Sequence, residues 1–172
     1  NIFTLTESMA DTLSKYIEKD RIKVIPPWSM FDKSSKIEKQ NNIFIDQHDL
    51  KGKFIVMYSG NIGLGHSVES IVEVARILSK GKDIIFVIIG EGWNKPMIEQ
   101  KVKDYHLTNC LILPFQPADK LKFSLSAADL GVVSVSSAGS RVCAPSKTYN
   151  LISLNVPLLA IADADTELAL VV

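Results

Sequence analysis

The sequence has no excess of either charge: 19 Lys and Arg stand against 19 Asp and Glu over 172 residues. No global field therefore draws the chain to nucleic acid or to anionic lipid. Long apolar runs are also lacking. Stretches such as "IIFVIIG" and "LGVVSV" fall far short of the roughly 20 residues needed to cross a bilayer and read as buried strands instead. There are two cysteines, Cys110 and Cys143, with no CxxC partner, and three histidines, His48, His66 and His106, which do not cluster. Neither a disulfide framework nor zinc-ligand spacing is present, and two reduced thiols in a cytosolic chain are expected. No Ser-His-Asp set and no paired carboxylates stand out, which argues against a self-contained hydrolytic site. The opening "NIFTLTESM" lacks the basic start and apolar stretch of a signal peptide. The chain begins without methionine and stops on "ELALVV" in mid-pattern, so it is expected to be a piece of a longer protein.

What is present is apolar material in regular alternation, 47% of the residues, enough to bury a core without disulfides or metal. Leu5, Met9, Leu13 and Ile17 keep a helical spacing over 4–19, with Thr6 as cap. "RIKVIPPWS" reads as a short strand stopped by Pro26 and Pro27. Residues 31–53 turn polar and charged and read as a linker, with a short helix around 46–50. From Phe54 onward apolar strands at 54–60, 83–90, 110–115, 129–135 and 156–162 alternate with helices at 68–78, 95–105, 118–127, 146–155 and 166–172. Strands apolar throughout, separated by helices, predict an α/β fold: a Rossmann-like, doubly wound parallel sheet covered on both faces. The expected division is 1–30 as the end of a preceding domain and a crossing segment, 31–53 as a polar linker and 54–172 as the Rossmann-like domain, truncated.

Ligands of such sheets sit beyond the carboxyl ends of the strands, near the point where strand order reverses. That rule selects the loops 59–66, 90–93, 114–117 and 134–146. The first holds Gly60, Gly63 and Gly65 between a strand and a helix, where bare amides and the helix dipole suit an anion. Its G-x-x-G-x-G spacing is not the G-x-G-x-x-G of dinucleotide binders, and no basic residue follows until Arg76. By itself it fits an anion cradle or a plain tight turn equally well. The last loop brings Gly139, Arg141, Ser146 and Lys147 to the start of a helix, with Ser146 placed as N-cap. Lys147 in a first helical turn opposes the dipole, which is unfavourable unless an anion is near; a solvated lysine is the plainer alternative. Trp93, Met97, Tyr149 and Leu151 read as packing residues rather than stacking platforms, and Glu91, between two glycines, as a turn residue.

In their order and spacing, "YSGNIGLGHSVESIVEVARIL", "FVIIGEGWNKPMIEQKVKDYHLTN", "LILPFQPADKLKFSLSAADLGVV" and "APSKTYNLISLNVPLLAIADADTELA" resemble family-4 retaining glycosyltransferases of the GT-B fold, in the bacterial subgroup that builds capsule, exopolysaccharide or O-antigen. The resemblance runs from Phe54 to the end, the C-terminal donor-binding half; "FTLTESMADTLSKYI" and "IKVIPPWSMFD" are similar to the last acceptor-half helix and the crossing segment. It implies a nucleotide-sugar donor, commonly a UDP-sugar, and a glycan or lipid-linked acceptor. No metal or other cofactor and no nucleic acid is implied. The implied setting is the cytoplasm, with peripheral membrane association on the inner face through the other half. Asn61, Gly63, Gly65 and His66, with Gly60, would meet the diphosphate or donor sugar through backbone amides. Gly90 and Glu91 would line the nucleoside side, Phe115 and Gln116 would border the uracil, and Ser146 and Lys147, with Arg141 nearby, would hold the diphosphate.

The chain departs from the family pattern where an arginine and a lysine usually stand in the first loop: it has Asn61 and His66. Two glutamates with seven residues between them are replaced by Val142 and Asn150, so a ribose contact would fall to Asn150 or to Glu167. Two alternatives compete with sugar transfer: a nucleotide-dependent oxidoreductase or epimerase, disfavoured by the glycine spacing, and a non-catalytic binding or partner domain, which the lost glutamates keep open.

Overall fold

The structure is a computed structural model that describes residues 1–64, 66–81, 83–135, 146–164 and 166–172. The chain opens with β1 (Ile2–Thr4), α1 (Glu7–Leu13) and β2 (Ile22–Val24), and β1 and β2 pair in parallel as a small sheet of their own. Thr6 caps α1 as expected, its Oγ1 accepting from Met9 N at 3.1 Å. The helix ends at Leu13, well before residue 19, and Tyr16 beyond it is exposed.

The stretch 31–53 does more than link. Its α2 (Ile43–Gln47) and the turn after it send Phe44, Ile45 and Leu50 into the main core. Asn42, fully buried, caps α2 by accepting from Phe44 N and donates through Nδ2 to Phe123 O at 2.9 Å. Three apolar residues in a charged stretch are too few to show a period, yet together they cover one corner of the sheet.

Next come β3 (Phe54–Ser59), α3 (Val68–Ile77), β4 (Ile84–Ile89), α4 (Lys95–Asp104), β5 (Cys110–Leu113), α5 (Leu121–Ala127), β6 (Leu130–Ser134), α6 (Lys147–Ser153), β7 (Leu158–Ile161) and α7 (Glu167–Val171). All five strands of the main sheet pair in parallel in the order β5-β4-β3-β6-β7. The Rossmann-like sheet expected from the apolar runs is therefore what forms. Successive side chains of a strand face opposite ways, and β3 shows it: Ile55 and Met57 join the core under α2, α5 and α6, while Val56 and Tyr58 join the one under α3 and α4.

The chain winds outward from β3 to β5, then crosses to β6 on the other side of β3. Strand order thus reverses between β3 and β6, and the loops leaving those two strands flank the crevice where such sheets bind ligands. Gly131 in β6 helps set α6 there, because a Cβ on it would lie 2.8 Å from Leu151 Cδ1; without that Cβ the helix packs close against the strand.

Candidate functional site

The loops after β3 and β4 are joined main chain to main chain. Gly60 N donates to Ile89 O at 2.9 Å, Ile62 N to Glu91 O at 2.8 Å and Asn94 N to Ile62 O at 3.0 Å. The approach is so close that a Cβ on Gly90 would fall 1.9 Å from Gly60 O, and one on Gly92 2.4 Å from Ile62 O. Ile62 is fully buried beneath them. Two of the expected ligand loops are in effect one double-layered rim.

The end of β6 fastens the start of α3 to this rim. Ser134, fully buried, accepts through Oγ from Ser67 N at 2.9 Å, and its carbonyl lies 2.8 Å from His66 Nδ1. A carbonyl only accepts, so Nδ1 carries the proton and neutral His66 is left with Nε2 as an acceptor.

Lys147, the first residue of α6, reaches over the carboxyl edge of β3. A Cβ on Gly60 would lie 2.8 Å from its Nζ and 3.4 Å from its Cδ, so the absence of a side chain at Gly60 opens the notch the lysine occupies. The ammonium stands 4.1 Å from the centre of the Tyr58 ring, close enough for a cation–π attraction. Tyr58 is fully buried, and its hydroxyl donates to Asn61 O at 2.6 Å. The positive charge missing from the glycine loop itself is thus placed against it from the other side of the switch point.

The remaining expected residues divide. Gly60, Asn61, Gly63, His66, Gly90, Glu91 and Lys147 gather at this edge, with Glu91 paired to Lys95 at 2.6 Å. Ser146 takes the N-cap position of α6 but makes no side-chain cap bond. Phe115 stands half exposed after β5, and Gln116 Nε2 donates to Pro114 O. Asn150 is turned to the crossing segment, its Oδ1 accepting from Ser29 Oγ at 3.1 Å and Met30 N at 3.0 Å. Glu167 accepts from Ser8 N and Oγ at 3.3 Å, at the start of α1. Gly65 and Arg141 lie outside the described residues. Leu151 packs as expected, but Trp93 does not: it is 84% exposed in the β4–α4 loop. Trp28, in the crossing segment, is 76% exposed. Tyr58 was absent from the sequence candidates, because inside "FIVMYSG" it reads as one more core residue.

Of the cavities among the described residues, one polar cleft borders this edge and one apolar trench starts from the amino ends of the strands. A polar cleft of about 410 Å³ opens between the starts of α3 and α4, lined among others by His66, Glu69, Asn94 and Met97. An apolar trench of about 280 Å³ runs along α3, walled by Val56, Val74, Leu78, Phe86, Leu130 and Leu159, and offers nothing to a phosphate. Among the described residues, no three His, Cys, Asp or Glu side chains group as metal ligands, and no helix is long and apolar enough to cross a membrane.

A parallel sheet with its glycine-rich rim and a lysine at the switch point defines a Rossmann-like α/β unit. Residues 39–144 match the family Glycosyl transferases group 1, and the chain belongs to that family. It is 28% identical over 171 residues to the Escherichia coli (strain K12) protein named "Putative colanic acid biosynthesis glycosyl transferase WcaI", covering 98% of this chain and 42% of that one. The chain thus spans well under half the length of that relative. Among solved structures it superposes on Anabaena Alr3699/HepE, crystallised with UDP and glucose, with a TM-score of 0.76 at 11% identity, over 92% of this chain and 43% of that one. It also superposes on WaaG, a glycosyltransferase involved in lipopolysaccharide biosynthesis, with a TM-score of 0.74 at 15% identity, over 98% of this chain and 50% of that one. At those identities the two structures speak for the fold.

Proposed function

We propose that this chain is the donor-binding half of a retaining glycosyltransferase. It would hold a nucleotide diphosphate sugar, a UDP-sugar by preference, for transfer to a glycan or lipid-linked acceptor in bacterial surface-polysaccharide synthesis on the cytoplasmic side. Family membership supports sugar transfer. The names of WcaI and WaaG support the polysaccharide setting, and the UDP in HepE supports the donor. The retaining course rests on the family-4 resemblance alone.

One observation carries the reading: the Lys147 ammonium lies against Gly60 in the glycine rim, over the Tyr58 ring. As the bond from sugar to diphosphate breaks, negative charge grows on the leaving oxygen. A fixed ammonium and amides aimed there stabilise it without a metal. Since the chain spans 42% of the length of WcaI, it should bind UDP without transferring sugar, because acceptor placement accounts for much of such a rate.

The test is calorimetry with UDP, uridine and NAD at constant salt, with and without EDTA. A hydrogen bond to a charged group is worth about 1.5–3 kcal/mol, so Lys147→Ala should weaken UDP roughly ten- to 150-fold and leave uridine almost unchanged. EDTA should change neither. Equal weakening of UDP and uridine would make Lys147 structural, and NAD binding tighter than UDP would point back to an oxidoreductase.

A further inference from the structure

We infer that Tyr58 is a positioning residue of the donor site, acting on the diphosphate through Lys147; the inference rests on the diphosphate reading above. Tyr58 sits in β3, the middle strand of the sheet, in register with Ile88 of β4 and Val132 of β6. Its ring belongs to the core cluster with Ile62, Val68 and Val72, and none of it reaches solvent. Packing alone would be met by Phe. The hydroxyl adds a partner that a buried polar group requires, and that partner is the carbonyl of Asn61 in the glycine rim, at 2.6 Å. The upper part of the same ring faces the Lys147 ammonium at 4.1 Å. One side chain therefore supports both halves of the cradle, the rim through its hydroxyl and the cation through its π face.

A free lysine stem loses considerable rotamer freedom when it is fixed on a ligand. Here the stem already lies in the Gly60 notch, and the ring face holds the charged end in place. The ligand then meets an ammonium that is largely ordered beforehand, which raises affinity without any added contact. The ring serves this role because its electron-rich face attracts a cation. Leucine, smaller and without a π face, keeps an apolar side chain there but not that attraction.

The experiment is a double-mutant cycle on UDP affinity, by calorimetry at constant salt, with uridine as control and circular dichroism to verify folding. Tyr58→Leu should weaken UDP by about two- to thirtyfold, the range of a cation–π contact. In that background Lys147→Ala should cost correspondingly less than in the wild type, while uridine barely moves. Tyr58→Phe, which keeps the ring, should preserve the full cost of Lys147→Ala. Additive losses in the Leu background, or equal losses for UDP and uridine, would overturn the inference and leave the diphosphate reading intact. No effect of Lys147→Ala on UDP would overturn both. Should Tyr58→Leu fail to fold, NMR decides: the Lys147 ε-methylene protons, assigned by Lys147→Arg, should be shifted upfield by the ring in the wild type and in Tyr58→Phe. Resonances at the position of an ordinary solvated lysine would refute the placement.

Discussion

Replacing Gly90 by Ala tests whether the two rim loops act as one piece. The added Cβ would lie 1.9 Å from Gly60 O, 3.1 Å from Gly60 C and 3.3 Å from Ile62 Cγ1. Two of those three are main-chain atoms, so no side chain can swing aside; to reach even 3.0 Å from the oxygen, the backbones must part by 1.1 Å (3.0 minus 1.9). That movement stretches the bonds Gly60 N to Ile89 O and Ile62 N to Glu91 O, now 2.9 and 2.8 Å, beyond useful length. Losing one or two of them at about 1 kcal/mol each, with overpacking strain of about 1–3 kcal/mol, gives a destabilisation of about 2–5 kcal/mol. The assay is urea unfolding followed by far-ultraviolet circular dichroism, where the midpoint should fall with the slope unchanged. Gly81→Ala is the control, because its Cβ would meet nothing nearer than Leu78 O at an ordinary 3.5 Å. UDP affinity should fall in the first variant and hold in the second. A Gly90→Ala protein within about 0.5 kcal/mol of wild type, the usual span of a harmless surface change, would refute the interlocked rim.

Asp129 accepts from the main-chain N–H of fully buried Ile55 at 2.8 Å and from Lys39, pinning the start of β3 to the start of β6. Asp129→Ala should cost about 1–3 kcal/mol in the same unfolding assay, the penalty of an unsatisfied buried donor. Asp129→Asn, which keeps an acceptor oxygen, should cost less, and equal losses would mean the bond is unimportant. His48 packs its ring on Phe44, with centroids 4.5 Å apart, and burial lowers its pKa below the ordinary 6.5. The unfolded chain then takes up the proton first on acidification, so stability present above about pH 6.5 drains away as pH falls through the folded value. His48→Gln should flatten the loss between about pH 8 and pH 5; an unchanged slope would remove His48 as its source.

The sheet was legible because buried parallel strands must be apolar on both faces, and "FIVMYSG" and "DIIFVIIG" show that without any partner in view. The parallel sense of the strands followed from alternation with helices, whereas their order, and with it the crevice between β3 and β6, emerged only from the fold. Lys147 was legible through a local conflict, a cation at the positive end of a helix. Other features depend on what folding brings together. Phe44, Ile45 and Leu50 are too sparse to reveal a buried corner within a polar stretch. Trp93 looks like packing until the loop that carries it proves uncovered. Tyr58 hides inside its own strand, because Asn61 and Lys147 meet it from other segments, one just beyond the strand and one 89 positions later (147 minus 58). Asn150 and Glu167, named for the ribose, are bonded to Ser29, Met30 and Ser8, contacts across the chain that no local pattern foretells.

The chain has two tryptophans, and both are already mostly in water: Trp28 at 76% and Trp93 at 84% exposure. Indole emission is set by the polarity around the ring, and unfolding changes that polarity little for either residue. The native spectrum should therefore sit close to that of the denatured chain, and a melt followed by it would look flat while the sheet came apart. Trp93 shares its loop with Glu91 and Gly92, so under the proposed donor-binding reading a nucleotide in the crevice would change the solvent around its ring. Under that reading intrinsic fluorescence would follow occupancy of the crevice, while the optical record of folding has to come from the backbone.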